Sequence, residues 1–173
     1  NNTLKYYLGV GIDPSKTVLA LPYYGSMWEG SVGEGGDTSS MFERKVTYRE
    51  IMSIFNDEFV TKNNLSPVLE TKSMTNYFNI TYPDNTSKEV WFDDDYTLGK
   101  KYDFAITNNL KGIGIWALGY DNGYNELWDV IETKFATDAV PVIDPVGQIE
   151  GYPIRISNYI LKKKSLLLVS SIF

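Results

Sequence analysis

A chain of 173 residues with a net charge of −6 and 43% hydrophobic side chains has room for one domain with a real core, and its acidity argues against a nucleic-acid partner. Histidine and cysteine are both absent, which removes Ser–His and Cys–His nucleophiles, disulfides and the usual zinc sites. Carboxylates, tyrosine, lysine and hydroxyls remain for acid–base work, and no apolar run reaches the roughly 20 residues of a membrane helix, so no membrane partner is expected.

Aromatic residues make up 14% of the chain, with 13 Tyr and 4 Trp, which fits either a surface that stacks on sugar rings or a tyrosine-rich core. The sequence opens at Asn1 without an initiator Met or signal peptide, so an upstream segment is expected to have been removed.

In chain order, Leu4, Tyr7 and Leu8 share one helical face that Gly9 and Gly11 bring to a stop, so 1–11 reads as the end of a helix. Pro14 and Ser15 make a turn. The run 16–24 (KTVLALPYY) is predicted as a buried strand closed by Gly25, with Ser26, Met27 and Trp28 just beyond its end. Residues 30–40 form a Gly/Ser loop without periodicity, expected to be mobile. Thr47 and Glu50 have the spacing of a capping box, in which hydroxyl and carboxylate each satisfy a free amide. A helix carrying Ile51, Met52 and Phe55 is expected from there, followed by a polar connection over 56–67.

Partial alternation over 74–82 and the β-rich EVWF at 89–92 flank the turn-forming PDNTSK, predicting an antiparallel hairpin in a small α+β module. Asp93, Asp94 and Asp95 precede a helix over 96–108 whose apolar stripe holds Tyr102, Ala105 and Ile106. Negative charge suits that end of the helix dipole, so a solvated helix N-terminus is favoured over a catalytic or calcium-binding cluster.

Residues 111–135 organise the rest. The apolar run 112–118 is too short for a helix and continuous, as in a parallel strand covered on both faces. Gly119, Asp121, Asn122 and Gly123 supply loop chemistry, and Leu127, Val130, Ile131 and Phe135 then recur at helical spacing. Strand, loop and helix make half of a parallel β/α unit, with Trp116 near the strand's C-terminal end, where α/β folds place ligands. After Thr137, Pro141, Pro145 and Pro153 break any helix, and 161–173 runs from basic to apolar. A linker leading to the first strand of another module and a simple tail both fit.

A strand ending in ALPYYG, an insertion ending in VWFDD, a helix with Lys100 or Lys101 near its start, and then GIGIWALGYD together resemble the C-terminal portion of a family-18 glycoside hydrolase, the chitinase type. The resemblance covers about 7–135. It implies an α/β fold, the C-terminal part of a TIM (β/α)8 barrel with its last two strands and helices and a small α+β insertion. Residues 1–28 and 96–136 would be barrel, 29–95 insertion, and 137–173 a C-terminal extension or linker. No cofactor and no metal are implied.

By the same resemblance Trp116 forms the floor of the −1 sugar subsite, and a pyranose does present an apolar C–H face that packs on an indole. The competing reading is a Trp buried in the barrel interior. Tyr24 lines the same cleft, with Tyr23 beside it as a further substrate-binding candidate. Trp28 is either an aromatic platform at the rim or a cover over the core. Many members of the family carry Arg after the glycine of PYYG, where this chain has Ser26, and the substrate contact made there is in question.

Family-18 catalysis depends on a DxxDxDxE signature whose Glu protonates the leaving oxygen while an Asp orients the substrate's own N-acetyl group as nucleophile. No Asp in this sequence begins that spacing, so no catalytic residue is assigned. The resemblance implies part of a chitinase-like hydrolase of β-linked N-acetylglucosamine polymers, working by substrate-assisted retaining hydrolysis. The alternatives are a non-catalytic chitinase-like lectin and a scaffold without ligand. Expected partners are a chitin-type oligosaccharide and either the N-terminal half of the barrel or a second copy, because two parallel strands leave apolar edges unpaired. A secreted or cell-surface location follows from the resemblance, and sequons such as Asn79–Thr81 and Asn85–Ser87 matter only in a eukaryotic secretory setting.

Overall fold

The computed structural model describes residues 2–30, 41–57, 60, 65–135 and the backbone of 165–169. In chain order, α1 (Asn2–Gly9) leads through a 3-10 turn (Pro14–Lys16) to β1 (Val18–Pro22), β2 (Tyr24–Glu29), β3 (Phe42–Thr47) and α2 (Tyr48–Phe55). Then follow β4 (Val68–Glu70), β5 (Thr75–Thr81), β6 (Ser87–Phe92), α3 (Asp95–Thr107), β7 (Gly112–Trp116), α4 (Glu126–Phe135) and β8 (Ser165–Val169). The fold is mixed α/β, with a parallel sheet ordered β1–β7–β8 and an antiparallel sheet ordered β3–β2–β6–β5–β4.

The two strands expected to be parallel neighbours are so, paired from Val18–Gly112 to Pro22–Trp116. The amide of Lys111 donates to the Thr17 carbonyl at 2.9 Å at one end of the pair. Leu21, Ile113 and Ile115 share one buried face, and in β7 all of Gly112 to Ile115 are buried, whereas Ala20 of β1 is exposed on the other face. Both strands are shorter than expected. Pro22, with no amide to donate, marks the end of β1, and the chain re-enters at Tyr24 as β2 of the other sheet. β7 stops at Trp116, and the Trp116–Ala117 peptide is cis.

Part of the segment read as linker or tail is a strand: β8 lies parallel to β7, with Ser165 opposite Gly112 and Val169 opposite Trp116. That strand covers the second edge of β7. The resemblance implies only the last two strands of a barrel; the three parallel strands described do not close one, and the outer edge of β1 has no strand partner among the described residues.

In the antiparallel sheet the expected β5–β6 hairpin forms, with the Asp84 carboxylate accepting from the Thr86 amide at 2.9 Å in its turn. β2, β3 and β4 were not expected. β2 alternates, with Gly25 and Met27 buried and Tyr24, Ser26 and Trp28 facing outward, but a glycine at an inward position hides the period. Residues 42–45 of β3 are all exposed, which is why FERK reads as polar. The buried face of this sheet packs on α2. A Cβ on Gly25 would lie 2.4 Å from the Trp91 carbonyl oxygen and 2.8 Å from the Ile51 Cδ1, so the PYYG glycine is a close approach of backbone to backbone. The capping box of α2 is present: the Glu50 amide donates to the Thr47 hydroxyl at 3.3 Å, and the Thr47 amide to the Glu50 carboxylate at 2.7 Å.

The three aspartates divide their roles. Asp94 caps α3 and accepts from the Thr97 amide at 2.8 Å, while Asp95 is exposed. Asp93 departs from the expected solvated terminus: it is buried, with its carboxylate oxygens 2.5 and 2.6 Å from the Lys101 ammonium. Asp93 follows β6 directly and is buried against Lys101 of α3, and a buried carboxylate must be paired. α3 and α4 lie close together, with the position of a Cβ on Gly99 only 3.2 Å from a Val130 methyl, and Lys134 paired to Asp103 at 2.8 Å. The loop expected over 30–40 and much of the connection over 56–67 fall outside the described residues. No helix among those residues is long and apolar enough to cross a membrane.

Candidate functional site

The C-terminal ends of β1 and β7 carry the candidate site. Trp116 closes β7 with its side chain 43% exposed, whereas Ala117 beyond it is fully buried. The register sets Pro22 beside Trp116, and the Tyr23 amide donates to the Trp116 carbonyl at 2.7 Å.

Tyr23 and Tyr24 leave that junction in opposite directions, as adjacent residues of extended chain do. Tyr23, expected at the sugar face, is 1% exposed. Its hydroxyl donates to the Leu127 carbonyl at 3.1 Å and lies 3.5 Å from the Tyr102 hydroxyl, and its ring meets Trp128 edge-on at 6.0 Å. Burial pushes the Tyr23 phenol far above the ordinary tyrosine range, with Tyr102 and Asp121 adding to the shift, so it remains a neutral donor. Tyr23 thus joins α4 to the parallel sheet and does not reach the surface that Trp116 occupies.

Tyr24 turns outward, half-buried, with its ring edge-on to Tyr120 at 6.4 Å. Ser26 and Trp28 follow on the same face of β2, so the structure brings Tyr24 and Trp28 together there and places Trp28 in a strand instead of a loop. Directly opposite on β3 are Lys45 across from Ser26 and Phe42 across from Trp28. The Lys45 ammonium donates to the Ser26 hydroxyl at 2.6 Å and stands 5.4 Å from the ring centres of both Tyr24 and Phe42. Trp28 and Phe42 meet edge-on at 5.9 Å. On the other side of β2, Trp91 lies opposite Ser26 and stacks on Tyr77 at 4.6 Å.

The first residues of α2 tie these parts together. The Tyr48 amide donates to the Tyr23 carbonyl at 3.0 Å, the Arg49 amide to the Tyr120 carbonyl at 2.9 Å, and the Tyr48 hydroxyl to Glu126 at 2.9 Å. Asp121, on the loop after Trp116, points inward: one carboxylate oxygen accepts from the Trp128 indole at 2.6 Å and the other is buried without a hydrogen-bond partner. Among the described residues, no three His, Cys, Asp or Glu side chains converge to hold a metal ion. What the face offers is aromatic surface interleaved with hydroxyl and ammonium donors, a chemistry suited to stacking and hydrogen bonding. Lys45 and Tyr120 were missed from sequence. Only the strand register, with Lys45 two residues before the capping Thr47, would have pointed to the first.

Residues 1–121 match the family described as "Glycosyl hydrolases family 18". The chain is similar to a probable di-N-acetylchitobiase 1 of Dictyostelium discoideum, 27% identical over 138 residues that cover 69% of this chain and 35% of that relative. It is also similar to a class V chitinase of Lotus japonicus, 29% identical over 129 residues, covering 68% of this chain and 29% of the relative. Among solved structures, a GH18 chitinase from Cycas revoluta in complex with (GlcNAc)3 superposes with a TM-score of 0.56 at 20% identity, over 76% of this chain and 36% of that one, a likeness of fold. The chain spans about a third of the length of the curated relatives it matches.

Proposed function

This chain belongs to glycosyl hydrolase family 18, and from that premise we propose that it supplies the Trp116 wall of a saccharide cleft in a chitinase- or chitobiase-like hydrolase. The substrate class is β-linked N-acetylglucosamine polymers, and the reaction is retaining hydrolysis assisted by the substrate's own N-acetyl group. The proton donor comes from polypeptide other than these 173 residues, in which no DxxDxDxE occurs.

The observation that carries this reading is the exposed indole of Trp116 at the C-terminal end of a parallel strand, with Tyr24 opening the next sheet two residues after Pro22, the register partner of Trp116. The outer edge of β1, which has no strand partner among the described residues, and the exposed Tyr6, Tyr7, Val10 and Ile12 support docking of further barrel polypeptide. Isothermal titration with chitotriose, with and without Trp116→Ala, tests the cleft. Binding that the substitution abolishes supports it, and unchanged binding or none removes it. Adding acid-bearing barrel strands in trans and assaying chitooligosaccharide hydrolysis separates a hydrolase from a chitinase-like lectin, which would bind without turnover.

A further inference from the structure

We propose that Lys45 is a specificity-determining residue of this face, one that favours β-linked saccharides carrying a carboxylate over neutral chains of the same length. The inference rests on the saccharide reading of the Trp116 face and goes beyond it by naming a charged feature of the ligand.

Lys45, like Lys100 over Tyr96, is a cation seated on an aromatic ring with no carboxylate partner among the described residues, but it alone of the two lies on the outward face of β2 and β3. Arg44, Lys88, Lys101 and Lys134 each lie within ion-pair distance of a carboxylate, on Glu50, Glu43, Asp93 and Asp103 respectively. Among the described residues no carboxylate pairs with Lys45, which is held by the Ser26 hydroxyl at 2.6 Å and by the Tyr24 and Phe42 rings at 5.4 Å. An ammonium has three donors, so the bond to Ser26 leaves two for a ligand. The two rings and the hydroxyl pre-position a flexible side chain, lowering the entropy cost of ordering it when an acceptor arrives. Among the described residues the ammonium is therefore exposed and held by one hydroxyl and two rings, with no carboxylate paired to it.

Its position matches the proposed path of a chain of sugars. Tyr24, Ser26 and Trp28 share the outward face of β2, and the rise from Tyr24 to Trp28 is about 13 Å. A saccharide resting on Trp116 and Tyr24 and continuing toward Trp28 passes over the Ser26–Lys45 contact. A neutral sugar offers hydroxyl and amide oxygens there, while a carboxylate offers a charge-assisted bond, which is shorter and about twice as strong. Because the protein as a whole carries a charge of −6, any preference for an acidic ligand must come from a local cation and not from the general field.

The test is titration calorimetry with three β-linked tetrasaccharides: neutral chitotetraose, a tetramer containing N-acetylmuramic acid, and a hyaluronan tetramer. The first acid arm carries its carboxylate on a lactyl ether and the second on the sugar ring, so the arm preferred identifies the source of the charge. We expect one acidic chain to bind about five- to tenfold more tightly than chitotetraose, the size of an exposed charge-assisted bond. Lys45→Met, which keeps contact with the rings, should erase that preference, and Lys45→Arg should restore it. Equal binding of all three chains by the wild type, or an equal loss for all three in Lys45→Met, overturns the inference while leaving the cleft intact if binding still needs Trp116. Failure of every chain to bind overturns the saccharide reading itself.

Discussion

The Tyr23 amide donates to the Trp116 carbonyl at 2.7 Å, and at this bond the parallel sheet hands over to the antiparallel one. One residue earlier, Pro22 is still paired in register with Trp116, and one residue later Tyr24 already belongs to β2. The exposed indole and the outward face of β2 are thus held in fixed relation by backbone, and Tyr23 itself is sunk between α3 and α4. Tyr23→Phe deletes the bond to the Leu127 carbonyl without disturbing the amide. Urea unfolding should record a loss of about 1 kcal/mol, and ligand affinity should change little. A large loss of affinity would mean that the phenol acts at the surface after all.

Gly25 is the second point at which the site depends on backbone contact. An added methyl group would meet the Trp91 carbonyl oxygen at 2.4 Å, and a carbonyl in a paired strand has no rotamer with which to move aside. Gly25→Ala should destabilise by about 1–3 kcal/mol or more, the range of overpacked cores. It should also alter the near-ultraviolet circular dichroism of Trp91 and Trp28, which flank the displaced segment. Unchanged stability would show that β2 and β6 are farther apart than the contact indicates.

The cap of α2 orients Tyr48 and Arg49, whose amides hold Tyr23 and Tyr120. Thr47→Ala removes the hydroxyl that receives the Glu50 amide and should cost about 1 kcal/mol. Burial pushes the Glu50 carboxyl upward, but the Thr47 amide and hydroxyl and the Arg44 guanidinium outweigh it and hold Glu50 below the ordinary range. A lowered folded value means that the unfolded chain takes up its proton first as pH falls. The stabilisation is therefore complete above the unfolded value and is lost as pH falls through the folded one. Denaturation followed from neutral pH down to acid should give a shallower acid loss for Thr47→Ala than for the wild type.

The parts legible in the sequence were those whose signal is local. The continuous apolar run of β7, the Thr47–Glu50 spacing and the PDNTSK turn each state their own structure, and each formed where expected. The parts that were hidden depend on pairing. Tyr23 and Tyr24 had to face opposite ways, but which one faced inward was decided by α4, about a hundred residues later. β3 reads as a polar stretch because four of its residues face water, and Lys45 acquires a role only through its register opposite Ser26. The apolar run in SLLLV was visible, but nothing local says that it lies beside β7. Asp93 looked like its two neighbours, and only its contact with Lys101, eight residues on in α3, sets it apart.

That buried pair yields the sharpest dependence on pH. Burial pushes the Asp93 carboxyl above the ordinary carboxylate range, and Lys101 draws it back only in part. The folded state therefore keeps a proton that the unfolded chain has released between about pH 4 and the raised value. The contribution to stability is complete below the unfolded value and is lost as pH rises through the folded one, opposite in sign to Glu50. In Lys101→Met the carboxylate is left buried without its counter-ion, which should cost about 3–5 kcal/mol at neutral pH. Near pH 4 protonation relieves most of that penalty. Asp93→Asn should be milder, because the Lys101 side chain is 22% exposed and its ammonium has access to water. Urea unfolding of the three proteins at the two pH values checks this. Equal losses for Lys101→Met at both would mean that Asp93 ionises as freely as a surface carboxylate, and that the ion pair does not govern its protonation.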